Sequence, residues 1–201
     1  MVPLAAIYDL IRKTLLDIRR KKMKKILLTA ILAAAALLCG TDAKLPVENY
    51  SFTLKTHTAS GGDPGFKKLT DGKINADNSK ARYGKVLFRH RENKGAPVRI
   101  TFNFKNEVKL SGAKIHYYRW TNSYGINDIK LFGIKKDGSL FLMGKVVLKH
   151  PYTKPQNEPY NMAAVIKSAD ATPVKSVQVV FTPTGGYLSL NEIEFFGTEN
   201  K

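Results

Sequence analysis

The stretch that decides the predicted fold is Tyr187-Leu188-Ser189-Leu190-Asn191-Glu192-Ile193-Glu194-Phe195-Phe196-Gly197. Leu188 and Leu190 share one face by the two-residue period of a strand, whereas Ile193 and Phe195 fall in the opposite phase. A β-bulge between the two pairs is the simplest account of this slip. The pattern therefore predicts a final strand with a bulge near its middle.

Two acidic side chains occupy settings that favour a cation. Glu192 has the parity of the two leucines, so its carboxylate points towards the apolar side unless the bulge turns it away, and a carboxylate so placed requires a cation. Asp71 follows the apolar Leu69 by two residues and precedes Gly72, a turn-forming residue. We predict that Asp71 and Glu192 meet across the fold around a metal ion.

Residues 23–43 have the features of an export signal. Two lysines follow Met23 and precede Ile26–Leu38, an apolar run of 13 residues that is too short to span a bilayer comfortably. Ala43 suits signal peptidase cleavage, which would start the mature chain at Lys44. A lipoprotein acylated at Cys39 is the alternative, although a lipobox has a small residue where this chain has Leu38.

Residues 1–22 precede this complete signal. Either translation starts at Met23, or these residues form a basic amphipathic extension left on the cytoplasmic side. The mature chain is then expected to have no transmembrane helix and to be secreted, periplasmic or bound at the cell surface.

Residues 44–201, with a core at 49–197, are expected to form one domain. Removing the eight basic and three acidic residues before Lys44 from totals of 33 and 16 leaves a net charge of +12. This charge favours acidic partners such as an anionic polysaccharide, and no nucleic acid is expected outside the cytoplasm. A well-solvated basic surface explains the charge equally well. The mature chain has no cysteine, so it depends on its core, with or without a metal.

The mature sequence has many short strand patterns and no long helical period. Val98–Phe104 alternates four apolar with three polar residues, and Asp137-Gly138 between two apolar runs predicts a β-hairpin. Further strands are predicted at Asn49–Lys55 and Val177–Phe181. Such a series of strands at this length predicts an all-β sandwich.

The order of these signals resembles the discoidin-like, coagulation factor V/VIII type C domain, the galactose-binding-like fold shared with family 32 carbohydrate-binding modules. The resemblance spans Phe66–Gly197 and rests on Leu69–Gly72, Val98–Phe104, Asn127–Gly133 with Lys136–Gly138, and Leu188–Gly197. It implies a jelly-roll β-sandwich whose ligand loops cluster at one end and which usually holds a structural calcium ion.

The resemblance also implies which residues would hold calcium. Asp71 and Glu192 would supply side-chain oxygens, and Lys68 and Lys73 would supply carbonyl oxygens, as this hard cation prefers. The chain departs from the family at Ala76, where Thr or Ser is common. One ligand is therefore either missing or supplied by Asn75 or Asp77.

The predicted glycan-binding residues lie in three loops. The first, Tyr118–Gly125, contains Arg119, Trp120, Asn122 and Tyr124; the second, Arg89–Asn93, contains His90; and Tyr187 follows Gly185-Gly186 in the third. An aromatic face stacks on a sugar ring while polar side chains bind its hydroxyls. His90, Arg119, Asn122 and either Trp120 or Tyr187 match the residue types that galactose-binding relatives use.

Each of these residues also has a purely structural interpretation. Trp120 could close the end of the core, His90 could be a solvated loop residue, and Arg119 could bind loop carbonyl groups. The basic loops favour uronic or sulfated sugars over neutral ones.

Three functions compete at this stage. A non-catalytic, exported carbohydrate-binding module is the first, and an adhesion module that binds a protein or lipid surface is the second. The third is a glycosidase using Asp71 and Glu192. We do not expect it, because two acids around a cation explain these two residues as well. The sequence pattern also shows no nucleophile triad, metal-binding histidine pair or phosphate loop.

Overall fold

The computed structural model describes residues 42–52, 57–60, 63, 65–74, 86–90, 96–119, 124–148 and 160–200, without the side chains of 57–60, His90 and Tyr160. Ala43–Lys201 forms one compact unit. Its strands are β1 (Ala43–Leu45), β2 (Val47–Phe52), β3 (His57–Ser60), β4 (Val86–His90), β5 (Val98–Arg119), β6 (Ile126–Ile134), β7 (Leu140–Val147), β8 (Tyr160–Lys167), β9 (Val174–Pro183) and β10 (Tyr187–Glu199). Within these ranges there is no helix long and apolar enough to cross a membrane.

Strand β5 joins the two halves of the β-structure. Its first part pairs with β2 and β9, and its second part pairs with β10 and β8, all antiparallel. The sheet order is β3-β4-β10-β5-β9-β6-β7, with β2 and β8 as further partners of β5 and β1 as a further partner of β10. The all-β sandwich predicted from the sequence is confirmed.

One apolar core lies between the layers. The first part of β5 and the strand β6 contribute alternate side chains to it, because successive residues of a strand point to opposite faces. Phe102, Phe104 and Phe195 form its aromatic centre, with Phe195 edge-on to the other two at ring-centroid distances of 5.0 and 5.5 Å. These rings pack the first part of β5 against the second part of β10.

The predicted β-hairpin is present as β6 and β7. The Asp137 side chain accepts hydrogen bonds from the backbone N–H and the hydroxyl of Ser139, and Gly138 has a φ of 82°. A left-handed φ is strained for residues with a Cβ atom, so Gly138 meets a backbone requirement of this turn.

The bulge predicted in the final strand is also present. The register of β10 against β5 shifts between Leu190 and Glu192, and the residues on both sides of the shift are buried. Buried side chains therefore occur in both phases of β10, and Glu192 lies among them with none of its surface exposed.

The structure corrects one boundary. The sequence prediction placed Arg89 and His90 in a polar loop, but both belong to the end of β4, which pairs with β3 and β10. Val86, Leu87 and Phe88 are all buried, so β4 lacks the apolar–polar alternation by which a strand is recognised.

Candidate functional site

Tyr124 and Tyr187 are in contact at one end of the sandwich, where β5 ends and β6 and β10 begin. Tyr124, just before β6, forms an isolated parallel bridge with Tyr187 at the start of β10. Their rings are stacked, with centroids 4.6 Å apart and planes 9° apart. Tyr118 of β5 lies edge-on to Tyr124 at 6.2 Å. We call Tyr118, Tyr124 and Tyr187 the tyrosine cluster.

The three tyrosines differ in how far they are buried. Tyr118 and Tyr124 are buried and pack with Leu87 of β4, whereas Tyr187 is only partly buried. The Arg89 guanidinium carbon lies 5.7 Å from the centre of the Tyr187 ring, and Arg89 is the register partner of Tyr187 across β4 and β10. A guanidinium over an aromatic face is an attractive cation–π arrangement. Tyr187 is thus held from one side by Tyr124 and contacted by a cation.

The loop before β10 is fixed against the start of β6. The Thr184 N–H donates to the Gly125 carbonyl oxygen at 3.0 Å, and a Cβ atom on Gly125 would lie only 2.5 Å from Thr184 Oγ1. Glycine at position 125 therefore permits the close approach that places Tyr124 against Tyr187.

The predicted sugar-binding residues have the following positions. Tyr124 and Tyr187 are in contact. Arg119 is partly buried at the end of β5, one residue after Tyr118. The backbone of His90 ends β4, next to Arg89, but its side chain lies outside the described residues, and so do Trp120 and Asn122.

The second predicted site is formed by the segment Leu69–Lys73 and the middle of β10. The Gly72 N–H donates to Glu192 Oε1 at 2.8 Å, and the Ile193 N–H donates to the Leu69 carbonyl oxygen at 2.7 Å. The segment carrying Asp71 therefore lies against Glu192. Asp71 is exposed, and its Oδ1 accepts a hydrogen bond from the Lys73 N–H at 2.9 Å.

Lys44 of β1 supplies a cation at this place. Its Nζ lies 3.7 Å from Glu192 Oε1 and donates to Glu194 Oε1 at 3.0 Å. His116 Nε2 lies 3.1 Å from the other oxygen of Glu194. Burial raises the pKa of Glu194, but the hydrogen bonds from Lys44 and His116 outweigh it and hold the pKa below its ordinary value of 4.5. We call Lys44, Asp71, Gly72, His116, Glu192 and Glu194 the acidic corner.

The acidic corner is chemically compatible with calcium. Two carboxylates and nearby backbone carbonyls are the oxygen donors that calcium takes. Within the described ranges no three acidic, histidine or cysteine side chains come together as a metal site, so carbonyl oxygens would have to complete the coordination. The metal was predicted because a buried Glu192 carboxylate requires a cation. The Lys44 ammonium already meets this requirement by offsetting the charge of Glu192.

Sequence reasoning missed Lys44, His116 and Arg89 as partners. Lys44 was assigned to the start of the mature chain, because β1 has only three residues and no recognisable period. Glu194 follows Glu192 by two residues, and two acids on one strand face are the signal that could have indicated a shared cation.

Comparisons with known proteins give a fold. No family model and no curated protein matches the chain. The family 32 module of Clostridium perfringens NanJ, solved with galactose, matches at a TM-score of 0.53 and 14% identity over 77% of this chain and 98% of that chain. The Clostridium perfringens module CpGH89CBM32-5, solved with GalNAc-β-1,3-galactose, matches at 0.52 and 17% over 77% and 100%.

A third similar structure is the C-terminal domain of a chitobiase from Bacteroides fragilis, with a TM-score of 0.50 and 16% identity over 79% of this chain and the whole of that chain. Each match covers nearly all of the structure compared and more than three quarters of this chain. The chain therefore has the discoidin-like β-sandwich fold of the family 32 carbohydrate-binding modules.

Proposed function

We propose that the protein is a non-catalytic carbohydrate-binding module that holds a glycan at the partly exposed Tyr187 and at Arg89, whose guanidinium lies over the Tyr187 ring. The observation that carries this proposal is the tyrosine cluster: one face of Tyr187 rests on Tyr124, and the ring remains partly exposed beside the cation of Arg89. A supported aromatic ring with adjacent donors suits the C–H face and the hydroxyls of a sugar.

The similar structures suggest which sugars to test. Those solved with a ligand were solved with galactose, GalNAc or a disaccharide of the two. Arg119 and His90 belong to strands that end beside the cluster, and Trp120 and Asn122 lie one and three positions after Arg119 in sequence. We assign these four residues to the same glycan site, with Tyr124 supporting Tyr187 rather than touching the sugar.

The test is calorimetric titration with galactose and GalNAc, followed by a glycan array. Tyr187→Ala should weaken binding at least tenfold, because stacking on a sugar and the support from Tyr124 are both lost. Tyr187→Phe retains the ring and should bind within about threefold of the parent. Leu142→Ala, which shortens an exposed apolar side chain on β7, is the control. Equal binding by Tyr187→Ala and the parent would refute this site.

The acidic corner is proposed as a structural element and not as a glycosidase site. Glu192 has no exposed surface and accepts a hydrogen bond from the Gly72 N–H within the fold, so it cannot serve the exposed Asp71 as the second accessible carboxylate of a catalytic pair. A general acid or base must reach its substrate. We propose that calcium, where it binds, is held here by Asp71, Glu192 and the carbonyl groups of Lys68 and Lys73, and stabilises this segment.

The second candidate function is adhesion to a protein or lipid surface. It is favoured by the outward side chains of β7, since Leu140, Leu142 and Val147 are 47%, 54% and 59% exposed. Neighbouring exposed apolar residues mark interaction surfaces. Retention on cells or vesicles that Leu142→Asp abolishes, without binding to any arrayed glycan, would support adhesion over glycan recognition. We propose export to the cell surface or beyond for either function, with acidic glycans as the preferred class.

A further inference from the structure

A second concave surface lies at the end of the sandwich remote from the tyrosine cluster. Strands β6 and β9 pair from Ile126 and Pro183, beside the cluster, to Ile134 and Ser176 at their other ends. At about 3.3 Å per residue, the nine residues of β6 separate the two ends by roughly 25 Å. A ligand at one end therefore does not touch the other.

This surface is a cavity of about 320 Å³. Its apolar floor includes Ile134, Phe141 and Val174, and its rim carries Lys135, Lys136 and Lys175. We call it the lysine pocket. The one carboxylate in its lining, Glu107, lies 3.8 Å from Lys136 Nζ, and both are exposed. Three ammonium groups against one carboxylate give the pocket a net positive charge.

Local sequence explains how the pocket forms. A Cβ atom on Gly133 would lie 2.3 Å from the Phe141 ring, so only glycine leaves room for this ring across the hairpin. The hairpin turn then presents Lys135 and Lys136 together, and the start of β9 presents Lys175. Phe141 is partly buried and packs against the core, which fixes the floor beneath the flexible lysines.

We propose that the lysine pocket binds an acidic sugar unit, carrying a carboxylate or a sulfate, of the same polysaccharide class that the basic charge of the chain favours. Ligand pockets range from about 300 to 1,000 Å³, so this one suits one or two sugar units. An apolar floor with an aromatic ring matches the C–H face of a sugar, and lysines at the rim match its anion. The hydroxyls of Thr172 and Ser176 add polar groups for ring hydroxyls.

A flat anionic surface such as a membrane suits this geometry less well. A concave site with a ring in its floor favours a ligand that enters it, whereas lysines on a convex surface would be sufficient for lipid headgroups. The proposal is independent of glycan binding at Tyr187, because the two sites share no residue.

The test is titration of ¹⁵N-labelled protein with trigalacturonate, followed by NMR. The amide signals of Ile134–Phe141 and Val174–Ser176 should shift, whereas galactose should shift those of Tyr124 and Tyr187 instead. The triple variant Lys135→Gln, Lys136→Gln, Lys175→Gln should bind trigalacturonate about tenfold more weakly. The triple variant Lys109→Gln, Lys145→Gln, Lys167→Gln removes the same charge from exposed positions outside the pocket and should bind within about twofold of the parent.

Several results would overturn the proposal. Equal weakening in both triple variants would mean that only the overall charge acts. Shifts confined to Tyr124 and Tyr187 would place the acidic sugar at the first site, and absence of shifts would refute binding altogether. Binding to phosphatidylserine vesicles that the pocket variant loses, without trigalacturonate binding, would identify a membrane contact. Galactose binding retained by the pocket variant shows that a failure here leaves the first site intact.

Discussion

Glu192→Gln removes one negative charge from the acidic corner while keeping an oxygen where Oε1 accepts the Gly72 N–H hydrogen bond of 2.8 Å. A hydrogen bond to a charged group contributes roughly 1.5–3 kcal/mol, against about 0.5–1.5 kcal/mol for a neutral pair, so this change costs about 1 kcal/mol. The 3.7 Å contact with the 43% exposed Lys44 contributes at most about 1 kcal/mol more.

Relief of desolvation opposes these losses. A buried carboxylate is expensive to remove from water, and an amide is less so, which offsets part of the cost. The net destabilisation should be about 1 kcal/mol, and for a domain of this size that lowers the Tm by about 2–4 °C. Glu199→Gln, at an exposed position of the same strand, is the control and should change the free energy of unfolding by less than about 0.5 kcal/mol.

The assay is thermal unfolding followed by circular dichroism, with calcium and then with chelator. If calcium binds the parent at 100 times its Kd, it stabilises the fold by about 2.7 kcal/mol, and Glu192→Gln should lose most of this increase. A parent Tm that is indifferent to calcium would refute the metal while leaving the Lys44 contact in place. A Glu192→Gln variant as stable as the parent without calcium would refute the role assigned to the carboxylate.

Three further predictions follow from described contacts. Glu194→Gln should flatten the pH dependence of stability in acid, since the lowered pKa of Glu194 gives stability that is present above its unfolded pKa of about 4.5 and lost as the pH falls through the folded value. Gly138→Ala should cost about 1 kcal/mol in chemical denaturation because of its φ of 82°, whereas Gly65→Ala, also in open space, should be nearly neutral. Phe195→Ala should cost about 3–5 kcal/mol in the same assay; a loss below 1 kcal/mol would mean that the aromatic centre is not needed for stability.

The fold was predictable where strands alternate and where turns need special residues. Val98–Phe104 lies within β5, and Asp137-Gly138 lies in the β6–β7 turn. The sequence also predicted strands at Val108–Leu110 and Ala113–Tyr118, but not that these runs form one strand with Val98–Phe104, because Lys105 and Asn106, both exposed, interrupt the apolar period. The sequence also did not predict β1 and β3, which have only three and four residues. It did not predict β4 because consecutive residues of this strand are buried, so the strand has no apolar–polar alternation.

The sites were predictable to a lesser degree. The approach of Asp71 to Glu192 followed from two weak local signals and the family resemblance, and the structure brings their segments together. Lys44 is 148 positions from Glu192 in sequence, and only strand pairing places it there. The stacking of Tyr124 on Tyr187 likewise depends on a bridge between separate loops. Long-range contacts of this kind leave no periodic trace in a sequence.

The pairing of β1 with the far end of β10 has a practical consequence for immobilisation. Ala43 faces Gly197, near the end of β10, whereas Tyr187 begins that strand, and roughly 40 Å of extended backbone separates the two ends of a strand of 13 residues. A bead, fluorophore or fusion partner joined next to Asp42 or Asn200 is thus attached at the pole opposite Tyr187. A surface-coupled form of the domain should display its aromatic pole outward without any engineered spacer.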